Sequence, residues 1–153
     1  MEEHNHEHHH HGQEAPRTHL AFSATLHCLL GCGIGEVVGM IIGTSMGMTN
    51  VNTLILAVVL GFVFGFILGL KPLLKAGFNF NKALKTVLIA EGLSIAVMET
   101  AEVLIEVYTP GVMEAGLLSW VFWGGMLLAL TAGFIAAYPV NYYLIGKGIR
   151  HQH

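Results

Sequence analysis

From Leu20 onward the chain alternates long apolar runs with short polar breaks. Four runs reach about twenty residues or more: 20–47, 53–74, 84–107 and 115–138. Twenty apolar residues in an α-helix rise about 30 Å, the thickness of a bilayer's hydrocarbon core. The pattern predicts an all-α, polytopic membrane protein built as a four-helix transmembrane bundle. The breaks carry turn chemistry: Asn50 and Asn52 in the first, Gly77, Asn79 and Asn81 in the second, Thr109-Pro110-Gly111 in the third. Pro139, in Tyr138-Pro139-Val140-Asn141, is expected to end or kink the last span.

Composition agrees with that reading. Of 153 residues 54% are hydrophobic and 11% charged, against roughly 25% charged in a soluble domain. A water-soluble globule is thereby set aside. The net charge of −3 argues against nucleic acid as a partner; the partner the composition implies is the lipid bilayer. The expected organisation is a His-rich disordered cytoplasmic tail over 1–18, the transmembrane domain over 19–146, and a short basic, His-containing tail over 147–153.

Basic residues give an orientation. Lys71, Lys75, Lys82 and Lys85 surround the second break, Arg17 precedes the first span, and Lys147 and Arg150 follow the last. The other two breaks contain neither Lys nor Arg. With four spans every positive charge falls on one side, so both termini are expected in the cytoplasm. Trp120 and Trp123 then approach the outer interface, and Tyr138, Tyr142 and Tyr143 the inner one.

Two of the runs carry chemistry. The first repeats glycine every fourth residue, at Gly31, Gly35, Gly39, Gly43 and Gly47, and the second repeats it at Gly61, Gly65 and Gly69. Such small-xxx-small stripes let helices approach closely in lipid, as a tight hairpin or across a dimer seam. Beside the first stripe runs another: Cys28, Cys32, Glu36, Met40, Thr44 and Met48. Steps of four drift only about 40° around a helix, so these side chains share a side. His27 stands about 140° from Cys32 and cannot grip the same ion without a neighbouring helix. A carboxyl at the depth of Glu36 costs at least ~2.5 kcal/mol and marks a functional candidate.

The third run places Glu91, Met98, Glu99, Glu102 and Glu106 in one stripe about 100° wide. Glu106 is expected to be interfacial and Glu102 near water, which leaves Glu91 and Glu99 as the candidates. Counting about 1.5 Å per residue, Cys28 matches the depth of Glu91, and Glu36 that of Glu99. The expected ladder sets Cys28, Cys32 and Glu91 lowest, Met98, Glu36 and Glu99 next, then Met40 with Glu102. The candidate metal ligands are therefore His27, Cys28, Cys32, Glu36, Met40, Glu91, Met98 and Glu99. The tail adds His4, His6, His8, His9, His10 and His11 as a tract for capturing metal.

The run from Ala24 to Glu36 (ATLHCLLGCGIGE), and the ending Tyr138-Pro139-Val140-Asn141-Tyr142 with Gly148-Ile149-Arg150, resemble a prokaryotic membrane family, the domain-of-unknown-function family numbered 4396. The resemblance covers about residues 18–151. It implies a setting in the prokaryotic cytoplasmic membrane and an association with metal handling, copper especially, and it assigns no catalytic residue.

Thiolates and thioethers select soft cations, so the leading expectation is a protein that binds or moves Cu(I), with Zn(II) next, and that is not an enzyme. Four helices make a thin wall around a path, which points to a homo-oligomer, with metal-handling proteins as further partners. Two alternatives stay open. One is a membrane thiol–disulfide oxidoreductase using Cys28 and Cys32, although the spacing is Cys-x-x-x-Cys and no second pair exists to relay electrons. The other is a proton- or cation-conducting, or structural, subunit using the Glu stripe.

Overall fold

A computed structural model describes residues 16–75 and 77–147, and every regular element among them is helical. In chain order these are α1 (Arg17–Ser45), α2 (Asn50–Lys75), α3 (Phe80–Ala90), α4 (Gly92–Tyr108) and α5 (Trp120–Gly146). Helices α1, α2 and α5 are each long and apolar enough to cross a membrane. The tail histidines fall outside the described residues.

Among the described residues, large apolar side chains lie outside while several acidic and amide groups lie within. Leu30, Ile34, Ile55, Val59, Ile67 and Leu127 are exposed, whereas Glu36, Glu99, Glu102, Glu106 and Asn141 are buried. In water that arrangement would be unstable. Against lipid it is the economical one, since acyl chains accept leucine and isoleucine and offer carboxylates nothing.

Helix α1 packs chiefly against α2 and α5, and α4 against α5. The α1–α2 seam is set by glycine. A Cβ on Gly31 would stand 2.8 Å from Gly65 Cα, one on Gly35 2.6 Å from Gly61 Cα, and one on Gly43 2.6 Å from Thr53 Oγ1. At Gly39 it would collide with the Ala57 backbone. One antiparallel register thus brings the two helices together at four successive levels, Gly31, Gly35, Gly39 and Gly43. Gly47 lies outside this stripe. Helix α1 stops at Ser45, and Gly47 adopts φ 66°. Its N–H bonds Thr44 O at 3.1 Å and that of Met48 bonds Gly43 O at 2.9 Å, the two bonds of a Schellman ending.

Two of the apolar runs differ from the sequence pattern. The apolar run at 84–107 belongs to two helices, with Glu91 between them at φ −103° and ψ −30°. The bonds Glu91 N–H to Val87 O and Ile95 N–H to Glu91 O, each 2.8 Å, carry the hydrogen bonding through this bend. Gly92 beside it weakens the helix locally. The last helix begins at Trp120, not near 115, because Ser119 caps it by accepting the Val121 N–H at 3.2 Å. It also continues through Pro139 to Gly146. Apolar surroundings offer a freed carbonyl no better partner than a continued helix, so proline does not end it.

Candidate cation site

Four buried small or polar positions on α5, Ala129, Gly133, Ala137 and Asn141, recur at every fourth residue and face inward. Opposite them α1 presents Thr25, Cys28, Cys32 and Glu36, all buried. Helix α4 contributes Ser94, Met98, Glu99, Glu102 and Glu106. The interior is therefore a column of polar and sulfur-bearing groups between three helices. At its lower end Asn141 Nδ2 donates to Thr25 Oγ1 at 2.8 Å, and Thr25 Oγ1 donates to Ala21 O at 2.8 Å. Below that pair Arg17 donates from Nε and a terminal nitrogen to Tyr142 O, at 2.9 and 2.6 Å, and its guanidinium lies 3.9 Å from the Tyr142 ring centroid. These contacts tie the start of α1 to the end of α5.

Midway along the column three carboxylates converge. Glu36, Glu99 and Glu102 each offer an oxygen, and these lie within 4.8 Å of one another. The residues are 4%, 3% and 0% exposed. Both oxygens of Glu99, both of Glu102 and Oε2 of Glu36 are buried without a hydrogen-bond partner. At 4.8 Å two full charges repel by about 3.5 kcal/mol for an effective dielectric of 20. Three ionised carboxylates are not tenable there without positive charge among them.

Glycine makes the room. A Cβ at Gly61 would fall on Glu99 Oε1, and one at Gly133 would fall on Glu102 Oε1, with Cδ at 2.8 Å. Each carboxylate thus sits in a notch on a neighbouring helix. A Cβ at Gly65, between, would meet Ile95 Cδ1 at 3.0 Å and Cys32 Sγ at 3.5 Å. The glycines of α2 therefore work on two sides, against the α1 backbone and beneath the side chains of α4.

Directly below the carboxylates, Cys28, Cys32, Ile95, Met98 and Ala137 form a buried cluster. Both cysteines are free, and the Cys32 thiol lies beside Cys28 and beside the Glu99 carboxylate. Oxygen and sulfur donors are thus contiguous. Above, Met40 and Glu106 line a cavity of about 200 Å³ between the α1–α2 turn and the α4–α5 connection.

The remaining sequence candidates lie elsewhere. His27 is exposed, with Nε2 3.2 Å from Leu68 O, and takes no part in the column. Glu91 sits at the α3–α4 bend against Gly69, where a Cβ would meet Oε2. It does not join Cys28 and Cys32. Glu102 was expected near water and is fully buried in the triad, and Glu106, expected at the interface, is 4% exposed. The spacing 99, 102, 106 already placed them on one face; what it lacked was Gly133 to receive Glu102.

Residues 19–150 match the family described as Domain of unknown function (DUF4396), and the chain belongs to that family. No curated protein and no solved structure matches the chain.

Proposed function

We propose that this DUF4396 member is an integral membrane protein that binds a metal cation at Glu36, Glu99 and Glu102 and passes it along the column of α1, α4 and α5. The observation that supports this most is the set of five buried carboxylate oxygens without a partner. A cation would satisfy all three side chains at once. Oxygen ligands next to the Cys32 thiol suit a borderline divalent ion of the Zn(II) type better than Cu(I), which favours sulfur. Cys28, Cys32 and Met98 are then the softer neighbouring stage. The six tail histidines are a collecting tract.

In this reading α3 and α4 cross the membrane as one bent span. Their 80–108 stretch rises about 43 Å at 1.5 Å per residue. Lys71, Lys75, Lys82, Lys85, Arg17 and Lys147 then share the cytoplasmic side with both termini.

The test uses full-length protein in detergent with the six tail histidines replaced by alanine. Zn(II), and anaerobically Cu(I), are titrated into it and into Glu99→Gln and Cys28→Ser/Cys32→Ser variants. The expected result is one tight Zn(II) per chain, at least ~10-fold weaker in Glu99→Gln, equivalent to ~1.4 kcal/mol. Cu(I) bound tightly and lost only in the double cysteine variant would move the site to the sulfur tier. No metal binding in any form would sink the reading and leave the carboxylates as a proton path.

A further inference from the structure

The cavity above the triad has the shape and charge of an entrance. It is walled by Met40 and Thr44 of α1, Thr53 of α2, Glu106 of α4, and Glu114 and Ala115 of the α4–α5 connection, with Met126 of α5 among the remaining walls. Neither Lys nor Arg is among its lining residues, and the two connections that roof it carry none. Its two carboxylates differ in setting: Glu114 is exposed at the mouth, whereas Glu106 is 4% exposed. A concave site of one charge sign with low-dielectric walls concentrates counter-ions and raises association rates about 10- to 1,000-fold.

Two residues of the wall stand one helical turn from the triad. Met40 follows Glu36 by four residues on α1, and Glu106 follows Glu102 by four on α4, steps of about 6 Å along each axis. Cavity and triad are therefore consecutive levels of the same two helices. We infer that this cavity is the vestibule through which a divalent cation reaches Glu36, Glu99 and Glu102, with Glu106 receiving the partly dehydrated ion and handing it down. The inference rests on the metal-binding reading above and adds the route and the relay residue. A hydrated ion entering here exchanges water for the Glu106 carboxylate first, so that desolvation is spread over two levels.

The experiment follows the rate of Zn(II) uptake by the full-length chain with tail histidines replaced by alanine, by rapid mixing and a timed chelator quench. Glu106→Gln is expected to load at least ~10-fold more slowly and still reach one Zn(II) per chain; the wild-type rate, but less the variant's, should fall with ionic strength. Folding is controlled by Ala115→Cys, which is purified and only then labelled with a bulky maleimide, the two native thiols being buried. Labelled protein should load at least ~10-fold more slowly than the same protein unlabelled. Unchanged rates in both, or failure of residue 115 to label, overturn the vestibule while equilibrium binding stands. A lost stoichiometry in Glu106→Gln makes Glu106 a ligand and overturns the relay. Absence of any saturable Zn(II) uptake in the unmodified protein overturns the binding reading itself, and the entrance with it.

Discussion

Gly61 of α2 and Glu99 of α4 are matched: the glycine's missing side chain is the space that the carboxylate occupies. On its other flank Gly61 receives the α1 backbone at Gly35. One residue without a side chain thus permits both the closest helix pair and the burial of a charge-bearing group.

Replacing that glycine should disturb site and seam together. Gly61→Ala is expected to lower stability by about 1–3 kcal/mol through overpacking and to weaken Zn(II) binding as Glu99 is displaced. Gly124, where an added Cβ meets nothing, is the control, and Gly124→Ala should be neutral or gain up to about 1 kcal/mol from helix propensity. Thermal unfolding in detergent with parallel metal titration measures both, and equal effects at the two positions would contradict the notch.

The seam should discriminate between glycines on α1. Gly39 faces the Ala57 backbone, whereas Gly33 faces only the end of the Leu130 side chain, Cδ2 at 3.3 Å. Gly39→Ala is therefore expected to cost at least ~1 kcal/mol more than Gly33→Ala. Comparable unfolding temperatures for the two variants would argue that the α1–α2 register differs from the one described.

Neutralising a triad member should have opposite effects on the empty and loaded protein. Glu102→Gln removes one of three mutually repelling carboxylates, so the metal-free protein should gain stability, by about 2–4 °C in Tm for each kcal/mol relieved. The same change should abolish most of the stabilisation that added Zn(II) confers on wild type. A metal-free Tm that falls by several degrees would mean that Glu102 is held by a partner and is no spare ligand.

The Asn141–Thr25 bond is a smaller structural element. Asn141→Ala and Thr25→Val, combined in a double-mutant cycle, should show a coupling of about 0.6 kcal/mol, the average for interhelical hydrogen bonds in membranes, and no more than about 1.7 kcal/mol. Zero coupling would remove this bond from the set of contacts joining α1 to α5.

Arg17 should matter through α5 alone. Arg17→Ala loses two hydrogen bonds to Tyr142 O and the stacking on its ring, so amide exchange at the end of α5 should quicken while exchange near Cys32 stays slow. Uniformly faster exchange would make Arg17 a determinant of the whole bundle.

Local pattern was enough to read the helical class, the apolar runs and the glycine and glutamate stripes. Hydrophobicity, helical period and proline or glycine breaks are properties of neighbouring residues, and they are written in order along the chain. Cys28, Cys32 and Glu36 could be assigned to one side of α1 for that reason. Tertiary structure decided what those stripes meet. His27 and Glu91 have ligand chemistry but stand against Leu68 and Gly69, away from the triad. Glu102, read as near water, is buried because Gly133, thirty-one positions later, leaves it a notch. Pro139, likewise, does not end α5, which runs on to Gly146. A side chain's depth and partners depend on the rotation and register of helices distant in sequence, and close packing between those helices is what sets both.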